Sequence, residues 1–113
     1  AITDLGGRWF TASTDDGRIV GISTARPAEE DSWSVDGFTQ SCYSDCWTML
    51  IDRAVRFAFD GGAKICYADV GLEDYGKAAL FEAIDFQRIG SGRIIKFGNN
   101  EFNSIRLARK MSA

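Results

Sequence analysis

The chain has 113 residues, three cysteines, one proline, no histidine and a formal net charge of −3. That is one domain's worth of chain, 1–113, with no room for a second core. The missing histidine excludes a Ser-His-Asp triad, a Cys-His dyad and any histidine metal ligand, and the acidic balance points away from nucleic acid.

The first strand is expected over Trp9–Thr14, and Asp15-Asp16-Gly17 supplies a hairpin turn. Arg18–Thr24 reads as the return strand, which Pro27 should end, with a polar loop from Ala28 to Ser32. Trp33–Phe38 alternates, with Trp33, Val35 and Gly37 on one face and Ser34, Asp36 and Phe38 on the other, as a third strand does. Ser44 or Asp45 can cap a helix over Cys46–Asp60, where Trp47, Leu50, Ile51, Ala54, Phe57 and Ala58 recur at helical spacing. Gly61-Gly62 stops it. Ile65–Val70 has the length and composition of a buried strand, and Asp74 can cap a second helix from Tyr75 to about Ala83. Gln87–Gly92 reads as a turn, and Arg93–Phe97 and Asn103–Leu107 read as strands joined around Gly98-Asn99-Asn100. A helix between the third and fourth strands implies a crossover and a parallel pair, while the hairpins imply antiparallel pairing elsewhere. The expected class is therefore α/β, a mixed and mainly antiparallel sheet in the order β-β-β-α-β-α-β-β.

The cysteines and charges are less specific. Cys42 and Cys46 are spaced C-x3-C and Cys66 stands in an apolar run, which is neither a zinc set nor a C-x-x-C redox pair. They read as reduced, partly buried thiols of a cytoplasmic protein, Cys46 gaining reactivity if it opens a helix. Ala1–Gly7 carries no signal-peptide pattern and no apolar run has the length of a membrane span. Residues 86–113 hold six basic side chains (Arg88, Arg93, Lys96, Arg106, Arg109 and Lys110) against Glu101 alone. This pattern reads first as a solvated strand face near a chain end, with a basic face meeting an anionic ligand as the alternative.

From Val70 to Phe86 the chain resembles the GNAT acyltransferase superfamily. That family carries Asn, Ala, Tyr and Gly-Phe at fixed offsets along this helix, where this chain has Asp74, Lys77, Phe81 and Asp85-Phe86, only Phe86 being identical. Leu50–Ala54 through Gly61–Ile65 is similar to the family's long helix, its glycine stop and the next strand, and Arg18–Ile22 to the preceding strand pair. The resemblance implies acetyl-CoA or another acyl-CoA held between two splayed strands, with loop N–H groups and a helix dipole on the pyrophosphate. It places the cofactor-binding positions at Cys42, Tyr43, Ser44, Asp45, Cys46 and Trp47, with Asp74 and Phe81 on the second helix. The loop pattern is Arg/Gln-x-x-Gly-x-Gly/Ala, whose key positions here are Cys42, Asp45 and Trp47. None of the three is glycine, so close approach of phosphate is obstructed. Phe81 stands where the family has a tyrosine that protonates the leaving thiolate, leaving Tyr75 or Tyr67 as the candidate acid and Asp36 as the candidate base.

The resemblance also implies that the family's first strand and first two helices have no counterpart in Ala1–Gly7. A sheet edge and an apolar surface should then be uncovered, to be met by a homodimer partner or another domain. Three functions follow: a non-catalytic or remodelled GNAT-like module binding a ligand or partner across that face; an active N-acyltransferase moving an acyl group to an amine; or a small-molecule or peptide binder lined by Trp9, Trp33, Trp47, Tyr43, Phe38, Phe57 and Phe59.

Overall fold

A computed structural model describes residues 8–40, 43 and 45–111. Its elements in chain order are β1 (Arg8–Ser13), β2 (Ile19–Glu29), β3 (Ser32–Thr39), α1 (Asp45–Asp60), β4 (Ile65–Gly71), α2 (Tyr75–Glu82), β5 (Gln87–Ser91), β6 (Ile95–Phe97), β7 (Asn100–Phe102) and β8 (Ser104–Lys110). Six strands form one sheet in the order β1-β2-β3-β4-β8-β5, and β6-β7 is a separate ribbon. The pair β3-β4 is parallel and every other pairing is antiparallel, as the crossover through α1 requires.

The β1-β2 turn closes as its sequence demands. Thr14 N–H donates to the Arg18 carbonyl and Gly17 N–H to the Thr14 carbonyl, both at 2.9 Å, and Gly17 takes φ +86. At the end of α1, Gly62 adopts φ +103, Gly62 N–H donates to the Phe59 carbonyl (3.1 Å) and Ala63 N–H to that of Ala58 (3.0 Å). These are the two bonds of a Schellman stop, and they turn the chain straight into β4.

Three expectations need correction. Pro27 does not end β2; the strand runs on to Glu29, with Pro27 opposite Trp33 and a bulge before Glu29. Pro27 lies beyond the last described β1 pairing, Arg8 with Ala25, so its missing N–H breaks no ladder bond there. The stretch 87–92 is not a turn but mostly β5, an edge strand exposed at every residue, with a bulge between Arg88 and Gly90. An edge strand with neither face buried lacks the alternation by which strands are recognised. Finally, Arg93–Phe97 and Asn103–Leu107 do not pair with each other. Ile95–Phe97 pairs with Asn100–Phe102, and the longer β8 joins the main sheet between β4 and β5.

Helix α1 packs one face of the sheet. Trp47, Leu50, Ile51, Ala54, Val55 and Ala58 are buried over Ala25, Val35, Cys66, Ala68, Val70 and Leu107. The approach is close over β3, where a Cβ on Gly37 would meet Ile51 Cδ1 at 2.7 Å. Two edge-to-face ring groups brace the layer: Phe57 between Phe10 and Trp33, and Phe81 between Trp47 and Phe86.

The other face of the sheet has no helix on it among the described residues. The register aligns Trp9 with Thr24 and Thr24 with Asp36, Ile22 with Phe38, Arg26 with Ser34, Ser34 with Tyr67, and Asp69 with Arg106. The expected apolar surface is thus confined to one end, at Trp9, Ile22 and Phe38, with Trp9 52% and Phe38 67% exposed. The rest of the face is polar and charged.

Candidate functional site

Strands β3 and β4 pair only through Ser32–Ser34 and Ile65–Tyr67. Beyond that they part, although β3 continues to Thr39 and β4 to Gly71. The gap opens at the carboxyl ends of a parallel pair, the position where α/β sheets favour ligands. It leads into a depression of about 800 Å³ bounded by Asp36, Asp69, Leu72, Asp74, Lys77 and Phe102.

Of the sequence-derived candidates, Asp36 and Asp74 reach this depression. Asp36 lies on the open face of β3. Its Oδ1 accepts the Gly37 N–H at 2.8 Å and is met by Lys77 Nζ from α2 at 2.8 Å, so an ion pair crosses the mouth of the gap. Asp74 is the cap of α2, its Oδ1 accepting the Lys77 N–H at 3.2 Å. Tyr75, on the first turn of α2, is 72% exposed and is not among the groups lining the depression.

The remaining candidates lie elsewhere. Trp47 and Phe81 are core residues, 3% and 0% exposed, with ring centroids 4.6 Å apart. Asp45 opens α1. Cys46 borders a separate groove of about 500 Å³ between α1 and β1, with Trp9, Met49 and Arg53. The Tyr43 hydroxyl accepts from Arg18 Nη2 at 3.0 Å. Cys42 and Ser44 fall outside the described residues. Nor do the seven aromatic residues make one pocket. Trp47 is buried, Trp33, Phe57 and Phe59 pack against the core, and Trp9 and Phe38 are exposed on the open face.

The polar part of the open face holds a group that motif reasoning did not assemble. Asp69, mid-strand in β4, is 7% exposed at its side chain. Arg106 of β8 donates to it from Nε at 2.9 Å and from Nη2 at 3.2 Å, and Arg93 donates from Nε at 3.1 Å. Burial alone would raise the Asp69 carboxyl, but the hydrogen bonds and charge of Arg106, then of Arg93, outweigh it and hold it below the usual carboxylate range. In turn the hydrogen bond that Arg106 donates to Asp69 keeps its guanidinium firmly charged. Arg106 also lies over the Tyr67 ring at 4.9 Å. Two features of the sequence carry this group. One is an acid in the middle of an apolar strand, the other the basic excess of residues 86–113. That excess does not form one face, however. Arg88 turns to Glu82, and Arg109 and Lys110 border a different hollow beside Asp85.

No family model matches the chain, and no curated protein matches it. Solved structures do. The chain is similar to ribosomal-protein-alanine N-acetyltransferase from Brucella melitensis (TM-score 0.80, 14% identity, covering 96% of this chain and 72% of that one). It is similar to nourseothricin acetyltransferase (TM-score 0.83, 17% identity, 95% and 66%). It is also similar to a GNAT superfamily phosphinothricin acetyltransferase from Sinorhizobium meliloti in complex with AcCoA (TM-score 0.81, 16% identity, 97% and 64%). At these identities the likeness shows the fold, which is GNAT-like.

Proposed function

We propose that this chain is a GNAT-like module with a remodelled, non-catalytic cleft that binds a ligand or a partner across the open face of its sheet. The observation that carries this reading is the pairing of Trp47 with Phe81. The resemblance puts the close-approach glycine or alanine of the phosphate loop at Trp47 and the tyrosine acid at Phe81. Here both positions are buried rings packed edge to face at 4.6 Å. A tryptophan anchored in the core does not offer the Cβ-free backbone that close approach to a pyrophosphate needs, and a phenyl ring has no proton to give. Isothermal titration of the chain with CoA tests it: no heat of binding up to millimolar CoA is expected, and saturable binding with acetyl transfer would overturn it.

The uncovered face also favours association. Exposed Trp9 and Phe38 gather its apolar residues at one end, and we infer that a second copy of the chain or a partner domain covers them.

A second reading is favoured by the gap between β3 and β4 and by the neighbour in complex with AcCoA. In it the chain is an N-acyltransferase that seats acetyl-CoA or another acyl-CoA in the gap through the loop 42–47, with Asp36 as base and Tyr75 as acid. Lys77 would have to release Asp36 for that role. Acetyl transfer that is lost in Asp36→Asn supports this reading, and transfer unchanged by the substitution removes Asp36 from it.

A further inference from the structure

We propose that the polar half of the open face is a binding site for the oxyanion head, carboxylate or phosphate, of a small ligand, gripped by Arg26, Arg93 and Arg106. This names the ligand class for the open-face binding proposed above and rests on that reading.

The three guanidinium groups come from separate parts of the chain and border one hollow of about 290 Å³, whose floor includes Ser34, Tyr67 and Asp69. That volume suits a ligand of small-metabolite size. The face is not built to lie under an apolar layer, because it would bury several charges with one carboxylate among them. Asp69 explains how the cationic groups are held. A carboxylate that is nearly buried fixes Arg106 through two nitrogens and Arg93 through one. The Tyr67 ring supports Arg106 from one side. The Arg93 backbone is tied to β8, where the Ser104 hydroxyl donates to the Arg93 carbonyl and the Gly92 N–H donates to the Ser104 carbonyl.

These contacts use only part of each guanidinium. Arg106 Nη1 and both terminal nitrogens of Arg93 make no hydrogen bond among the described residues, and Arg26 makes no ion pair among them. Arg26, Arg93 and Arg106 against Asp69 and Glu29 leave the hollow with an excess of one positive charge. A planar fork held in place beforehand is the arrangement that binds carboxylate or phosphate by paired N–H donors. The hollow continues through Thr24 and Ser34 to Asp36, so a ligand anchored here extends toward the β3-β4 gap.

The test is calorimetric titration of the full chain at low ionic strength, with succinate in one arm and inorganic phosphate in the other. Saturable binding of at least one is expected, weakened tenfold or more by Arg26→Gln and by Arg93→Gln, both folded as judged by circular dichroism. Arg109→Gln, an equal charge change outside the hollow, should leave affinity within twofold. Binding of succinate alone assigns a carboxylate ligand, binding of phosphate alone a phosphate ligand, and binding of both the shared oxyanion. No binding of either at 10 mM (on the order of the weakest affinities of interest), or equal weakening in Arg109→Gln, overturns the site. Failure here leaves the non-catalytic reading standing, whereas CoA turnover with intact anion binding would remove that reading and keep the site.

Discussion

Asp69 concentrates more physical consequence than any other side chain of the open face. Its carboxyl is held low in the folded chain by Arg106 and Arg93, so its stabilisation is complete above the ordinary carboxylate pKa and fades as pH falls through the lowered folded value. Asp69→Asn should cost about 1–2 kcal/mol at neutral pH, discounted for the partly exposed arginines. The gap in melting temperature between wild type and variant should be constant from pH 8 to about 5 and shrink below about pH 4. A gap unchanged at pH 3 would contradict the ion-pair assignment. Cys66 makes the opposite case. Burial pushes its thiol up to about 12, with Arg109 pulling slightly the other way. A thiol-disulfide reagent at neutral pH should therefore label the half-buried Cys46 in the native chain and reach Cys66 only on unfolding.

Among the elements, α2 shows what the sequence made legible and what it hid. Its cap was readable, because an Asp ahead of a helical run is a local signal, and Asp74 does accept the Lys77 N–H. Asp74→Ala should cost about 1 kcal/mol in denaturant unfolding. The far end was readable only through the family offsets. Asp85 stands where the family has glycine, and it takes φ +73, a conformation glycine adopts without strain. Asp85→Gly should keep or raise stability, while Asp85→Val should lose about 1 kcal/mol or more; equal stability of the two variants would show that the backbone there is unstrained. Strands β1, β3 and β4 were legible from alternation or apolar runs, as was α1 from its periodicity. Strand β5 was not, since none of its residues is buried, and β2 was cut short because a proline in a strand looks like a stop. The candidate site was least legible. Asp36 and Lys77 meet only because β3 and α2 fold together across 41 residues of chain, and Asp69 finds Arg93 and Arg106 only through the β4-β8 pairing.

At the scale of the molecule, the described residues leave the sheet with a covered face and an open one, and the open one divides by chemistry. Its apolar end, at Trp9 and Phe38, is where a second copy or partner domain is proposed to dock. Light scattering at micromolar concentration should return twice the chain mass of 12.4 kDa, and Trp9→Lys should return the monomer. A monomer in the unsubstituted chain would remove the self-association proposal. Its polar half is the proposed anion site, and the Lys77–Asp36 pair spans the mouth of the gap between β3 and β4. The proposal that this gap does not seat acyl-CoA is tested most directly by thermal unfolding with and without 5 mM acetyl-CoA (about 100-fold above a Kd of some tens of micromolar). A cofactor bound that far above its Kd stabilises by about 2.7 kcal/mol, which for a domain of this size shifts Tm by roughly 10 °C. The proposed remodelled cleft predicts a shift of less than about 1 °C; a shift near 10 °C that disappears when acetyl-CoA is replaced by acetate would contradict it.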